Sequence, residues 1–210
     1  RYKTRLHALI ARGPVPSRRA WKDSILTYLT QNCDVSNDES NKPEKVKFFA
    51  SPLPVNVVPK ENLLDELRTE ENGFIPINLA VEMNCPSEII SALCELFPLG
   101  ATVPRPDGSL PLHIAATRPT GSDNKKKPDP IVSDNLTAIA ILMEVYPVAL
   151  IIRDGKGRTP LICLLQNHAS TRHAELVEKM IKTVDVDVWT EEFQDHVDQK
   201  NEKVPFPVPS

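Results

Sequence analysis

Glycine is scarce in this chain, seven residues in 210, while proline is abundant at twenty. That ratio excludes a protein built on long strands, because proline lacks the N–H that a β-ladder needs. It suits many short elements joined by rigid turns. No run of eighteen or more apolar residues occurs, so no transmembrane helix and no membrane insertion are expected. The four cysteines, Cys33, Cys85, Cys94 and Cys163, form no CxxC pair, and their spacing demands no oxidising compartment. The last three sit within apolar patterns and read as small buried side chains. Neither sign of charge dominates. Lys and Arg total 25 against 28 Asp and Glu, a net charge of −3, which gives no global attraction to nucleic acid or to an anionic membrane.

Chemical motifs are missing as well. There is no HExxH, no GxGxxG and no GxxxxGK[ST], so a nucleotide or zinc site of those kinds has no anchor. Cys163, His168 and His173 follow one another at spacings of five and five, which match no common zinc pattern. Nothing supplies a nucleophile with an adjacent base and an orienting group. We therefore expect no catalytic, cofactor-binding or metal-binding residues, and the chain reads as something other than an enzyme.

Self-similarity is what the sequence does contain. Three segments align on a Gly-x-x-Pro core: Gly73-Phe74-Ile75-Pro76, Gly108-Ser109-Leu110-Pro111 and Gly157-Arg158-Thr159-Pro160. Pro76 and Pro111 are 35 residues apart, and Pro111 and Pro160 are 49 apart. The surplus falls in the polar, Pro-rich segment from Pro119 to Asp134. A second alignment supports the first, since Phe97-Pro98 and Tyr146-Pro147 precede Gly108 and Gly157 by the same interval, ten residues from each proline. Gly accepts the positive φ of a tight turn, and Pro suits the first turn of a helix, where its missing N–H costs nothing. Short helices are predicted over about 76–83, 111–117 and 160–167. Each is followed by a second helix with an apolar stripe: Ile89, Ile90, Leu93, Leu96 and Phe97; Ile139, Leu142, Met143 and Tyr146; Leu176, Val177, Met180 and Ile181. Such pairs cannot bury their apolar faces alone, but stacked at a fixed period they can.

The segment Asp107-Gly108-Ser109-Leu110-Pro111-Leu112-His113-Ile114-Ala115-Ala116 resembles the ankyrin signature Gly-x-Thr-Pro-Leu-His-x-Ala-Ala. Gly157 to Leu161 matches its first half, and Gly73 to Ala80 is a looser copy. The resemblance covers about residues 60–182. It implies an all-α fold, an ankyrin-like helical-repeat solenoid with projecting turns. In that family a Thr hydroxyl and a His ring tie each turn to its neighbours. Here Leu110 takes the Thr place beside His113, Ile162 takes the His place beside Thr159, and Asn78 follows Ile75 and Pro76. No copy is expected to hold both partners.

The resemblance further implies a protein-binding adaptor or scaffold without catalytic activity, whose turn tips and first-helix faces form a concave surface. The alternative is a structural or linker subunit of a larger multiprotein assembly. The expected partner is another protein or a multiprotein complex, with no specific nucleic acid. Candidate contacts are Glu71 and Asn72, then Arg105, Asp107 and Ser109, then Arg153, Asp154, Lys156 and Arg158. Lys125, Lys126 and Lys127 join them from an inserted loop at 118–134, expected to be mobile for lack of apolar side chains.

Three regions result: a divergent N-terminal helical region at 1–59, repeats at 60–182, and a cap and tail at 183–210. In the first region, Leu6 to Ile10 and Trp21 to Leu29 read as a helix pair, with a polar loop at 32–43 and a candidate helix at 44–50. Glu61 to Arg68 reads as a second helix of the repeat type. In the last, Trp189, Phe193 and Val197 share a helix face that would cover the end of the stack. Charge is uneven: residues 1–30 hold seven Arg or Lys against Asp23 alone, and 183–210 hold seven Asp or Glu against Lys200 and Lys203. The chain begins at Arg1, and an intracellular compartment is expected, organelles included if a targeting segment has been removed.

Overall fold

The computed structural model describes residues 2–14, 16–35, 52–54, 56–118, 130–167 and 174–186. The candidate helix at 44–50, the lysines Lys125, Lys126 and Lys127, His168, His173 and the cap residues Trp189, Phe193 and Val197 lie outside the described residues.

The fold is mostly helical. Nine helices occur among the described residues: α1 (Arg5–Ala11), α2 (Arg18–Gln31), α3 (Glu61–Arg68), α4 (Pro76–Glu82), α5 (Ser87–Leu96), α6 (Pro111–Thr117), α7 (Pro130–Val145), α8 (Pro160–Asn167) and α9 (Ala174–Val186). Their starts follow local chemistry. Pro76 and Pro111 each occupy the first turn, behind an extended Ile75 or Leu110. Where no proline serves, a hydroxyl does: Thr4 accepts from the His7 N–H and Ser17 from the Ala20 N–H, satisfying donors that a helix start leaves open. The aromatic-Pro pairs end helices in near-identical geometry. Phe97 (φ −148°, ψ 75°) and Tyr146 (φ −142°, ψ 77°) each turn the chain into a short 3-10 segment, Pro98–Thr102 and Pro147–Leu150.

Two series of helices pack in order. α1 lies against α4, α4 against α6 and α6 against α8, while α2 lies against α5, α5 against α7 and α7 against α9. The core runs between the series. Ile89, Ile90 and Leu93 of α5 and Ile139, Ile141 and Leu142 of α7 are 0–1% exposed, each contributing about 1.5–3 kcal/mol by burial. Helices of seven to ten residues are marginal in isolation, so packing holds them and propensity does not. Cys85, Cys94 and Cys163 are buried in this core and form no disulfide.

Four expectations are corrected. The loop at 32–43 begins instead as a strand, β1 (Cys33–Val35), paired antiparallel with β2 (Val57–Pro59); Pro59 is tolerated because it sits at the end of a two-stranded ladder. The inserted loop is shorter than 118–134, because α7 begins at Pro130. α3 is helical, but it packs against α1 and α4, and the helix beside α5 is α2. α3 thus stands where the 3-10 segments stand in later units. Ile181 is 46% exposed, off the buried side of α9.

Candidate functional site

Three turns recur between the helix pairs, and each closes on itself. Glu71 and Phe74 exchange backbone hydrogen bonds at 2.8 and 3.1 Å. The Arg105 N–H donates to the Ser109 carbonyl and the Asp154 N–H to that of Arg158, both at 2.9 Å. Gly73, Gly108 and Gly157 take φ of +81°, +78° and +74°, a region that side-chain-bearing residues avoid. The second and third turns touch directly: the Gly155 N–H donates to the Asp107 carbonyl at 3.0 Å.

Buried polar side chains tie each turn to the preceding helix. His113, 1% exposed on α6, donates from Nε2 to the carbonyls of Ile152 (3.1 Å) and Arg158 (3.0 Å). Its Nδ1 accepts the Leu110 N–H at 3.3 Å. These partners require a neutral ring, and burial pushes its pKa down against the pull of the two carbonyls. Asn78 occupies the matching place on α4 and donates to the Val103 carbonyl at 3.1 Å.

A third link has no counterpart among the sequence expectations. His7, fully buried on α1, donates from Nε2 to the Phe74 carbonyl at 2.9 Å, and its Nδ1 lies 2.6 Å from the Thr4 hydroxyl. Thr4 and His7 thus place a hydroxyl and a ring side by side at the start of α1. No proline marks this helix start, where Arg5 stands in the first turn. The shared Leu-His of Leu6-His7 and Leu112-His113 was the available signal.

The candidate contacts divide by what their polar atoms already do. Asn72, Asp107, Arg153 and Lys156 are exposed. Arg105 is half-buried, stacked 4.6 Å over the Phe74 ring and 3.5 Å from Glu82. Arg158 is half-buried and donates Nε and Nη2 to Asp154 at 3.0 and 2.7 Å. Glu71, Ser109 and Asp154 are buried (8%, 9% and 6% exposed). Glu71 accepts the backbone N–H groups of Lys3 and Thr4, both at 2.6 Å. Burial opposes its ionisation, but those donors win and hold its carboxyl below the usual range. Asp154 behaves alike: burial is outweighed by Arg158 and by the Lys156 and Arg158 N–H groups. The first-helix faces are not offered either. Pro76 to Val81 of α4 and Pro111 to Ala116 of α6 are all buried, enclosed by neighbouring helices and by the segment Pro98–Thr102.

What remains is an edge of rigid, polar tips. A depression lined by Arg18, Asn84, Cys85 and Asn135 has room for about one water, some 10 Å³, too small for a substrate. No cluster of three metal-ligating side chains occurs among the described residues, and none of their helices is long and apolar enough to cross a membrane. Compared with known proteins, the chain matches no family model, no curated protein and no solved structure.

Proposed function

We propose that this chain is a non-catalytic protein-binding module with ankyrin-like repeats, acting as an adaptor or scaffold through its row of turns. One observation carries the reading. Buried His7, Asn78 and His113 each bond a carbonyl of the following turn or of the chain leading into it, which holds tip side chains in fixed positions before any partner arrives. Pre-organisation of that kind lowers the entropic cost of association, and exposed polar groups on a rigid frame are the usual carriers of recognition. The serial packing of α1, α4, α6 and α8 beside α2, α5, α7 and α9 supports the repeat reading.

The contact set narrows to Asn72, Asp107, Arg153 and Lys156, with the guanidinium groups of Arg105 and Arg158 at the margin. Glu71, Ser109 and Asp154 act as internal fasteners of the turns. The test is affinity capture with the full chain, comparing the parent with the Arg153→Glu/Lys156→Glu variant and identifying partners by mass spectrometry. At least one specific partner is expected to fall tenfold or more in recovery while circular dichroism stays unchanged. An identical set of partners, equally recovered, would remove the turn row from the proposal.

A further inference from the structure

Two ion pairs of this molecule close at short range, Arg158 with Asp154 at 2.7 Å and Lys22 with Glu88 at 2.8 Å. Glu82, the last residue of α4, is held differently. Arg105 Nη1 lies 3.5 Å from one of its oxygens and Arg118 Nη2 lies 3.5 Å from the other. Charge-assisted bonds between guanidinium and carboxylate run about 2.7–2.9 Å, so Glu82 gathers two cations and binds neither closely. Two positive charges face one negative. Among the described residues neither Arg105 Nε nor Arg118 Nε has an acceptor, though both atoms are shielded from water. Burial depresses the Arg118 pKa, and Glu82 restores it only in part. The trio is still open to an incoming group: the side chains of Arg105, Arg118 and Glu82 are 26%, 22% and 39% exposed.

The surrounding edge is cationic too. Arg12 ends α1 and Arg118 ends α6, and a Cβ at Gly13 would stand 3.9 Å from the side chain of Met83, which follows Glu82 at the end of α4. Arg18 lines the small depression there with Asn84 and Cys85. Cations at helix C-termini complement the helix dipole, which accounts for Arg12 and Arg118. It does not account for Arg105, which comes from the second turn and reaches Glu82 across the Phe74 ring. We propose that Arg105 and Arg118 form a clamp for a carboxylate in an acidic segment of a protein partner, with Glu82 holding the two guanidinium groups in place until that carboxylate takes them. The arrangement is already that of one carboxylate between two guanidinium groups. A nucleic-acid backbone, by contrast, is held by many cations, and the chain carries a net charge of −3. The clamp gives the adaptor its partner chemistry, and so rests on that reading.

The test is fluorescence anisotropy of a fluorescein-labelled hexaglutamate peptide with the full chain at physiological salt. Arg105→Gln and Arg118→Gln are each expected to weaken binding about fivefold or more, and Glu82→Gln, which removes the internal competitor, to tighten it about threefold. Arg153→Gln/Lys156→Gln, on the turn tips, should stay within about twofold, because salt screens charges that do not touch the peptide. Circular dichroism checks that each variant folds. Should Arg118→Gln not fold, Arg118→Lys keeps the charge and loses the planar fork, and a weakening of about twofold is expected. No binding by the parent, no change in either arginine variant, or binding by Glu82→Gln that is unchanged or weaker would overturn the proposal. So would an equal loss in Arg153→Gln/Lys156→Gln, which would reduce the effect to general positive charge. A labelled thymidine hexanucleotide bound more tightly than the peptide, and lost with the same arginine variants, would also overturn it, because the clamp would then serve phosphates. Partners lost on capture with Arg153→Glu/Lys156→Glu, together with a peptide indifferent to Arg105 and Arg118, would leave the adaptor reading standing and remove the clamp alone.

Discussion

A single buried ring shows how much one side chain decides here. His113, itself 1% exposed, satisfies two carbonyls and one N–H. His113→Ala leaves them unpaired beside a small cavity, and a loss of about 2–4 kcal/mol is expected from chemical denaturation. His113→Gln keeps a donor and should lose less. The ring also sets a pH dependence. Its pKa in the fold lies below the unfolded value of about 6.5, so below that pH the unfolded chain binds a proton that the folded one refuses. Stability from this group is complete above about 6.5 and is lost as pH falls toward the folded pKa. Glu71 and Asp154, held below the usual carboxylate range, act in a separate window. Their contribution is present above their unfolded pKa values, near 4, and disappears as pH falls through the folded ones. Urea midpoints between pH 7 and 5 should therefore decline in the parent and decline less in His113→Gln. Equal slopes would mean that His113 is not the group being titrated.

At the scale of elements, the turns make the sharpest demand, and they also mark how far the sequence could be read. The starts at Pro76, Pro111 and Pro160 were legible because Gly at positive φ and Pro in the first turn act within a few residues. The pairing of Val35 with Val57 was not legible, because it joins segments 22 residues apart. Burial of Glu71, Ser109 and Asp154 was also hidden: polar residues in turns read as exposed, whereas these spend their oxygens closing or anchoring the turn. Glycine substitutions separate backbone conformation from crowding. A Cβ at Gly157 would meet nothing within 4 Å, so Gly157→Ala is strained by φ +74° alone and should cost about 1–2 kcal/mol. Gly108 adds to φ +78° a Cβ only 2.8 Å from the Gly155 nitrogen. Gly108→Ala should therefore be clearly worse, and it should free the bond between Gly155 and Asp107. Equal losses for the two alanine variants would show that the turns do not press on each other as described.

For the whole molecule, the order of packing decides how disturbance spreads. α6 touches α4 on one side and α8 on the other, and α4 in turn touches α1. A chain of neighbours transmits stability stepwise, so its parts can open separately when one seam is weakened. His113 sits on the seam between α6 and the turn leading into α8. Removing its ring loosens Asp154 to Asn167 first, whereas α1 keeps its own fastening through Thr4, His7 and Glu71. Native-state hydrogen exchange of His113→Ala should show protection falling by an order of magnitude or more in α8. The slow amides of α1 and α2 should stay within about threefold of the parent, allowing for a small change in global stability. Were every slow amide in α1, α2, α6 and α8 to accelerate by the same factor, opening would be all-or-none. The turn-to-helix bonds would then be distributed supports of one cooperative body, not separable seams.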